Sequence, residues 1–340
     1  MNKRNILITG GAGFIGSNFI KYYLNKHDDI DIINLDALTY SGSLKNLGDI
    51  ESHKRYNFIH GDICDKSLVE SIFNDFNVNG VINFAAETHV DNSIVDPEVF
   101  IRSNVNGVFN LLNIAYKYWM DNPFKYKDTY SDSIFYQIST DEVYGSILKG
   151  SFNEESNLSP NSPYAASKAS ADMLVRSYNK TFGLNTIISR SSNNFGPNQH
   201  FEKYIPMIIC NALDKTPISV YGSGNNVRDW IYVLDHCRAI DLIFDKKNIG
   251  EIFNISSGNE ITNNDLMKKI FMLLGEIKNK SVEDFLVYKK FVEDRPGHDF
   301  RYSVDNGKLK RQLNWNEELK FDDNLKSTIS YYLKYEKKIK

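Results

Sequence analysis

The chain is poor in cysteine, in proline and in excess charge of either sign. Its three cysteines, Cys64, Cys210 and Cys237, are odd in number and lack metal-ligand spacing. That excludes a disulfide framework, leaves no metal expected, and points to a reduced, cytoplasmic setting. A formal net charge of −3 gives no electrostatic footprint for nucleic acid or an anionic membrane. No apolar run is long enough to cross a bilayer, and no signal peptide is expected ahead of the first strand-like run, Asn5-Ile6-Leu7-Ile8-Thr9. Internal repeats are missing, and no Pro/Gly/Ser-rich linker divides the chain. What is present is an ordinary globular composition, 41% apolar and 24% charged over 340 residues, enough for one large domain or two modest ones with a real core.

Strand-like runs at 5–9, 31–36, 56–60, 80–85, 133–139 and 185–190 alternate with helical patterns at 14–26, 66–76, 98–119 and 163–182. This rhythm predicts an α/β fold, a Rossmann-type doubly wound parallel sheet over residues 1–190. Asp62 and Asp65 can cap the helix that follows them, and Pro97 suits the first turn of the next. Beyond residue 190 the rhythm loosens. Asn193 to Asn198 reads as a loop, a helix is expected at 202–213, a strand near 217–221, and 225–231 leads into a helix from about 234. A loop at 294–299 and an amphipathic helix from about 322 close the chain. The expectation is a smaller substrate-binding lobe over 191–340, with part of 225–250 returning to the first lobe.

Gly10-Gly11-Ala12-Gly13-Phe14-Ile15-Gly16 follows the first strand and opens the first helix. Glycines at 10, 13 and 16 allow a tight turn, backbone approach to a pyrophosphate and close helix–strand packing, and the helix start supplies N–H groups. Asp36 ends the second strand, where a carboxylate accepts from an adenosine ribose and repels the extra phosphate of NADP. NAD is therefore the expected cofactor. Asp62 and Ile63 lie where an adenine would, although a plain helix cap explains Asp62 equally well. Ala85 and Ala86 are small enough to let the nicotinamide end pass. His89 reads as a structural hydrogen-bonder.

Tyr164 and Lys168 are four residues apart and share a helix face. An ammonium there favours the phenolate and makes Tyr164 a general base for a sugar hydroxyl. Thr140 ends the fifth strand and can share that hydroxyl. The adjacent acids Asp141 and Glu142 are the most informative feature, because simple hydride transfer needs no carboxylate pair. Two neighbouring acids at a buried strand end can split their pKa values, one staying protonated while the other ionises.

The segments Thr9 to Ser17, Leu38-Thr39-Tyr40, Ala85 to Asp91, Ile138 to Gly145, Ser162 to Lys168, Ser192-Asn193-Asn194, Val227 to Trp230 and Asp294 to Asp299 together resemble the extended short-chain dehydrogenase/reductases that act on nucleotide sugars. More narrowly they resemble the dTDP-glucose 4,6-dehydratases. The glycine turn and the Tyr/Lys pair carry only the superfamily; Thr140-Asp141-Glu142 discriminates, since epimerases usually lack both acids and decarboxylases keep only the Glu. A silent NAD-binding scaffold would be expected to have lost some of these groups. The resemblance implies oxidation at C4, removal of the C5 proton by Glu142, protonation of the departing C6 hydroxyl by Asp141, and hydride return to C6. It places Ser103 and Asn194 at the cofactor, Thr88 and Asn193 at the sugar, and Arg228, Asn263 and His298 along the diphosphate and nucleoside, with Arg295 nearby. Glu202, Lys203, Tyr204 and Tyr221 would border the base and ribose. Here the sequence departs from the family: a Phe-Pro pair is expected before Glu202 and a Leu at 204, which leaves thymidine and uridine both open. For Arg228, a salt bridge to Asp229 or Asp235 is the competing reading. The family also implies a homodimer through the 98–119 and 163–182 helices, whose Val108, Leu111, Leu112, Ile114 and Tyr118 put apolar residues on more than one face, and a deoxysugar route.

Overall fold

Short β-branched runs separated by amphipathic helices organise the first half of the chain. The computed structural model describes residues 4–339. β1 (Arg4–Thr9) runs into α1 (Phe14–Lys26), followed by β2 (Ile30–Asp36), β3 (Tyr56–His60), α2 (Lys66–Phe76) and β4 (Gly80–Asn83). Short helices α3 (Val90–Val95) and α4 (Pro97–Phe100) lead through a π-helical stretch, Ile101–Gly107, into α5 (Val108–Trp119). A small hairpin of β5 (Met120–Asn122) and β6 (Lys125–Tyr126) precedes β7 (Ile134–Thr140), α6 (Pro163–Phe182) and β8 (Thr186–Ser191). The second half contributes β9 (Asn193–Phe195), α7 (Tyr204–Asp214), β10 (Ile218–Tyr221), β11 (Val227–Tyr232), α8 (Val233–Asp245) and β12 (Ile252–Ile255). It ends with β13 (Glu260–Thr262), α9 (Asn263–Lys278), α10 (Glu283–Leu286), β14 (Lys289–Val292), α11 (Gly307–Leu313) and α12 (Phe321–Ile339).

The central sheet has seven strands in the order β12-β8-β7-β4-β1-β2-β3, and every pairing in it is parallel. Strands covered on both faces must be apolar throughout, and all of β7 is buried. Alternate residues feed two cores: Ile6, Ile8 and Tyr136 point into one, Leu7, Ile33 and Phe135 into the other. Strand order reverses between β1 and β4, which opens a crevice at their carboxyl ends. Asp65 caps α2 by accepting from the Leu68 N–H. Ser162 caps α6, Pro163 sits at its first position, and Gly183 ends it with φ 72°.

The second lobe has its own core around Phe195, Ile205, Trp230, Leu266 and Phe271. Two stretches that read as irregular are strands: β11 lies between β9 and β13. Their Asn-rich composition hides a pairing that tertiary contact supplies. The 98–119 helix carries a π turn, and the β4 strand stops at Asn83. Val108, Leu111, Leu112 and Ile114 are buried within the protomer, because α5 is packed between α2 and α6. The apolar side chains left on this face are Val95, Ile101, Phe109 and Met173, between 43% and 85% exposed. Among the described residues no helix is long and apolar enough to cross a membrane, and no cluster of metal-ligating side chains occurs.

Candidate active site

The carboxyl ends of the central strands face the second lobe across one cavity of about 590 Å³. All the candidate cofactor, catalytic and substrate residues read from the sequence line it. At the cofactor end Gly10 has φ +68°, and a Cβ there would lie 2.6 Å from the Ala85 backbone nitrogen. A Cβ on Gly16 would press into the Gly10 carbonyl oxygen. The turn therefore lies flat against the end of β4, and Ala85 and Ala86 continue its floor. No side chain caps α1, so its first N–H groups, at Phe14 and Ile15, remain open for an anion. These features fit a dinucleotide pyrophosphate. Asp36 accepts the Ala12 N–H on one oxygen and the Leu38 N–H on the other, both at 2.8 Å. It ties down the glycine turn while keeping free lone pairs toward the cavity. Asp62 accepts from the Cys64 N–H at 2.8 Å and pairs with Arg102 at 2.5 Å, so it does not cap α2. Ile63 and Ser103 line the same end. Asn194 Oδ1 meets His236 Nδ1 at 2.8 Å.

At the centre, Thr140 ends β7 and a 3-10 turn carries Asp141 and Glu142. Thr140 Oγ1 accepts the Glu142 N–H and donates to Asp141 Oδ1, each at 3.3 Å. Tyr164 lies beside Thr140, and its hydroxyl pKa is pushed well above the usual range by burial and then by Glu142, with Asp141 adding to the rise. This differs from the expected depression by Lys168. The Lys168 Nζ donates to the Ile138 carbonyl at 2.7 Å, and burial lowers its own pKa to about 8. Asp141 is 3% exposed, and its Oδ2 has no hydrogen-bond partner. Burial raises its pKa well above the carboxylate range, and Glu142 and Asp229 raise it further. Burial also raises Glu142, but Arg295, Arg228 and Lys203 oppose that rise. The two acids thus sit in unequal surroundings, which favour keeping a proton on Asp141 and ionising Glu142 first.

At the far end Arg228 is buried and donates to the carbonyls of Val227, Phe300 and Asp299 at 2.8, 3.2 and 2.9 Å. Its guanidinium lies 4.2 Å from the centre of the Tyr302 ring. The expected competing bridges do not form: Asp235 pairs with Arg238, and Asp229 is held by Ser257 and Gly258. Arg295 reaches Asp91 at 3.4 Å and lies over Tyr221. His298 contacts Asp294 at 2.6 Å. Lys203 donates to the Thr88 carbonyl at 3.2 Å, Thr88 meets the Tyr40 hydroxyl at 3.0 Å, and Tyr204 donates to the Asn263 carbonyl at 2.9 Å. Buried polar atoms without partners, Asn193 Oδ1, Glu202 Oε1 and Arg295 Nε, mark this wall. Such atoms are costly unless something bonds them.

A family model described as GDP-mannose 4,6 dehydratase matches residues 7–328. The chain belongs to this dehydratase family. The dTDP-glucose 4,6-dehydratase of Salmonella typhimurium is 43% identical over 338 residues, 96% of this chain and 92% of that protein. The low-salt glycan biosynthesis protein Agl12 of Haloferax volcanii is 46% identical over 329 residues, 97% and 98% of the two chains. The crystal structure of DesIV, the dTDP-glucose 4,6-dehydratase of Streptomyces venezuelae, with NAD and TYD bound, is 40% identical and superimposes with a TM-score of 0.87 over 97% of each chain. The resemblance read from the motifs and the Rossmann-type fold are both borne out.

Sequence reasoning passed over other residues that line the cavity, among them Glu87, Asp91, Gln199 and His200. Glu87 and Asp91 lie within the quoted Ala85–Asp91 motif, so proximity was available as a signal. Asp229 and Tyr302 were left unassigned, and only the folded pairing brings them to Asp141 and Arg228.

Proposed function

We propose that this chain converts dTDP-glucose to dTDP-4-keto-6-deoxyglucose and water as an NAD-dependent nucleotide-sugar 4,6-dehydratase. One observation carries the reading: an adjacent carboxyl pair, the buried Asp141 and the half-buried Glu142, in unequal electrostatic surroundings beside Tyr164 and Lys168. NAD, held along the Gly10–Gly16 turn with Asp36, Asp62, Ile63, Ser103 and Asn194, supplies the hydride acceptor for C4 and the donor for C6. Tyr164, with Thr140 beside it, acts as the phenolate that the Lys168 ammonium favours; it takes the C4 hydroxyl proton and becomes the neutral phenol, and that proton balances the one Asp141 gives up. Glu142 removes the C5 proton acidified by the new 4-keto group. Asp141 gives its proton to the C6 hydroxyl; the C6–O bond breaks, water leaves and a C5–C6 double bond forms. After hydride addition at C6, the proton held by Glu142 returns to C5.

Arg228, Arg295, Asn263 and His298 take the diphosphate and nucleoside, Thr88 and Asn193 the sugar, and Glu202, Lys203, Tyr204 and Tyr221 the base and ribose. The names of the relatives support thymidine; the altered 198–206 segment, which lines the cavity at Gln199, His200, Glu202, Lys203 and Tyr204, keeps uridine as the second reading. The exposed apolar residues Val95, Ile101, Phe109 and Met173 support a homodimer, checked by light scattering, where a monomer at micromolar concentration is the contrary result. The cysteine usage supports a cytoplasmic setting. The deciding experiment is incubation with dTDP-glucose and with UDP-glucose, followed by mass spectrometry. Loss of one water without net cofactor reduction is expected, faster with dTDP-glucose. Unchanged mass with both sugars sinks the dehydratase reading.

A further inference from the structure

A carboxylate that the reaction does not touch lies near the acid: Thr140 on β7 pairs with Ser191 on β8, and the next residue, Ser192, donates to Asp229. Asp229, on β11, is 2% exposed. Its two oxygens accept from Ser192 Oγ at 3.3 Å, the Ser257 N–H at 3.2 Å, Ser257 Oγ at 2.9 Å and the Gly258 N–H at 2.8 Å. Burial raises the Asp229 pKa, and the Ser257, Gly258 and Ser192 donors oppose that rise and favour the ionised form. Asp141 has the opposite surroundings: its single contact is the Thr140 hydroxyl, and Oδ2 has no partner. The charged and titratable groups that face Asp141 are Glu142 on its own turn, Asp229 and Arg228 on β11, and Tyr164 on α6. Successive residues on β11 thus carry opposite charge. Arg228 opposes the rise at both acids, while Asp229 adds to the rise at Asp141.

We propose that Asp229 is a positioning residue for the elimination step: its fixed negative charge keeps the proton on Asp141 until the C6 hydroxyl departs. The idea rests on the dehydratase reading above and adds the group that separates acid from base. Removing the charge in D229N lets Asp141 lose its proton at lower pH.

The test follows the two steps separately, because C4 oxidation depends on Tyr164 and Lys168 and elimination on the acid pair. NAD-loaded enzyme is mixed with dTDP-glucose across a pH series, quenched, and the 4-keto sugar before water loss is resolved from the product by mass spectrometry. In D229N the alkaline limb of elimination is expected to move down by about one pH unit, the range of a single close charge, while the oxidation limb stays in place. A purely structural role slows both steps and moves neither limb. D229N loses an acceptor and is checked by thermal melting. If it does not fold, S257A keeps the charge, removes one donor and is expected to move the elimination limb upward. An unmoved D229N limb, or an S257A limb that stays or falls, overturns the role of Asp229 alone. Wild-type protein that leaves dTDP-glucose unchanged at every pH overturns the dehydratase reading and this proposal with it.

Discussion

Replacing Arg228 with methionine separates binding from stability. Among the described residues the guanidinium has no carboxylate ion-pair partner; it donates to three backbone carbonyls and stacks on Tyr302. Each carbonyl keeps another donor when the arginine is gone: the Tyr302 N–H for Val227 at 3.4 Å, the Val227 N–H for Phe300 at 2.8 Å, and Asn226 Nδ2 for Asp299 at 3.3 Å. The substitution therefore strands none of them. It also removes a buried cation whose desolvation costs several kcal/mol, and burial already lowers the Arg228 pKa. The melting temperature of R228M is expected to hold or rise. Binding responds in the other direction. A charge-assisted hydrogen bond contributes about 1.5–3 kcal/mol, so losing one to the diphosphate raises KM for dTDP-glucose roughly 10- to 150-fold. Arg228 also holds down the Glu142 pKa; a base must be ionised to act, so its loss moves the acid limb of elimination to higher pH. Initial rates against substrate concentration and thermal melts read all three effects. A KM within about threefold of wild type, with a melting point several degrees lower, would refute the reasoning and make Arg228 a structural residue.

Three further outcomes are expected. E142Q removes the C5 base and lowers kcat by roughly 100- to 10,000-fold, with the 4-keto sugar that still carries its C6 hydroxyl accumulating; product at the wild-type rate contradicts the role. Lys168 loses its ammonium as pH rises past about 8, and a cation favours the Tyr164 phenolate, so the C4 oxidation step slows above that point; a rate that keeps climbing contradicts it. Gly10→Ala places a side chain at φ +68° and against the Ala85 nitrogen at 2.6 Å, a clash of about 1–3 kcal/mol. It weakens NAD binding about tenfold or more by calorimetry, and unchanged affinity counts against the close turn.

The first lobe was legible because its short apolar runs and its helix caps are local signals. α1, α2 and α6 begin and end as read, down to Phe14–Lys26 and Pro163–Phe182. The reacting centre was legible because Thr140, Asp141 and Glu142 are contiguous and Tyr164 and Lys168 share one helical face. What stayed hidden was relational. β9 and β11 are polar strands made by each other, the π turn at 101–107 leaves no compositional mark, and the charges of Arg228 and Asp229 reach the acid pair only in the folded chain. The Tyr164 environment was misread for a similar reason: sequence spacing puts Lys168 within reach but cannot say that its ammonium is committed to the Ile138 carbonyl.

The last strand to join the central sheet has a consequence for how the protein is made. β8 pairs with β12, whose Ile255 partners Ser191. On the ribosome β8 emerges about 60 residues before β12, an interval of roughly 3 to 12 seconds at ordinary synthesis rates. Throughout that time the nascent chain presents a strand with an open edge, the geometry that recruits foreign strands. Truncation anywhere between the two strands would leave that edge permanently open. The yield of soluble protein from such fragments should drop with it, whatever the state of the glycine turn at the other end of the sheet.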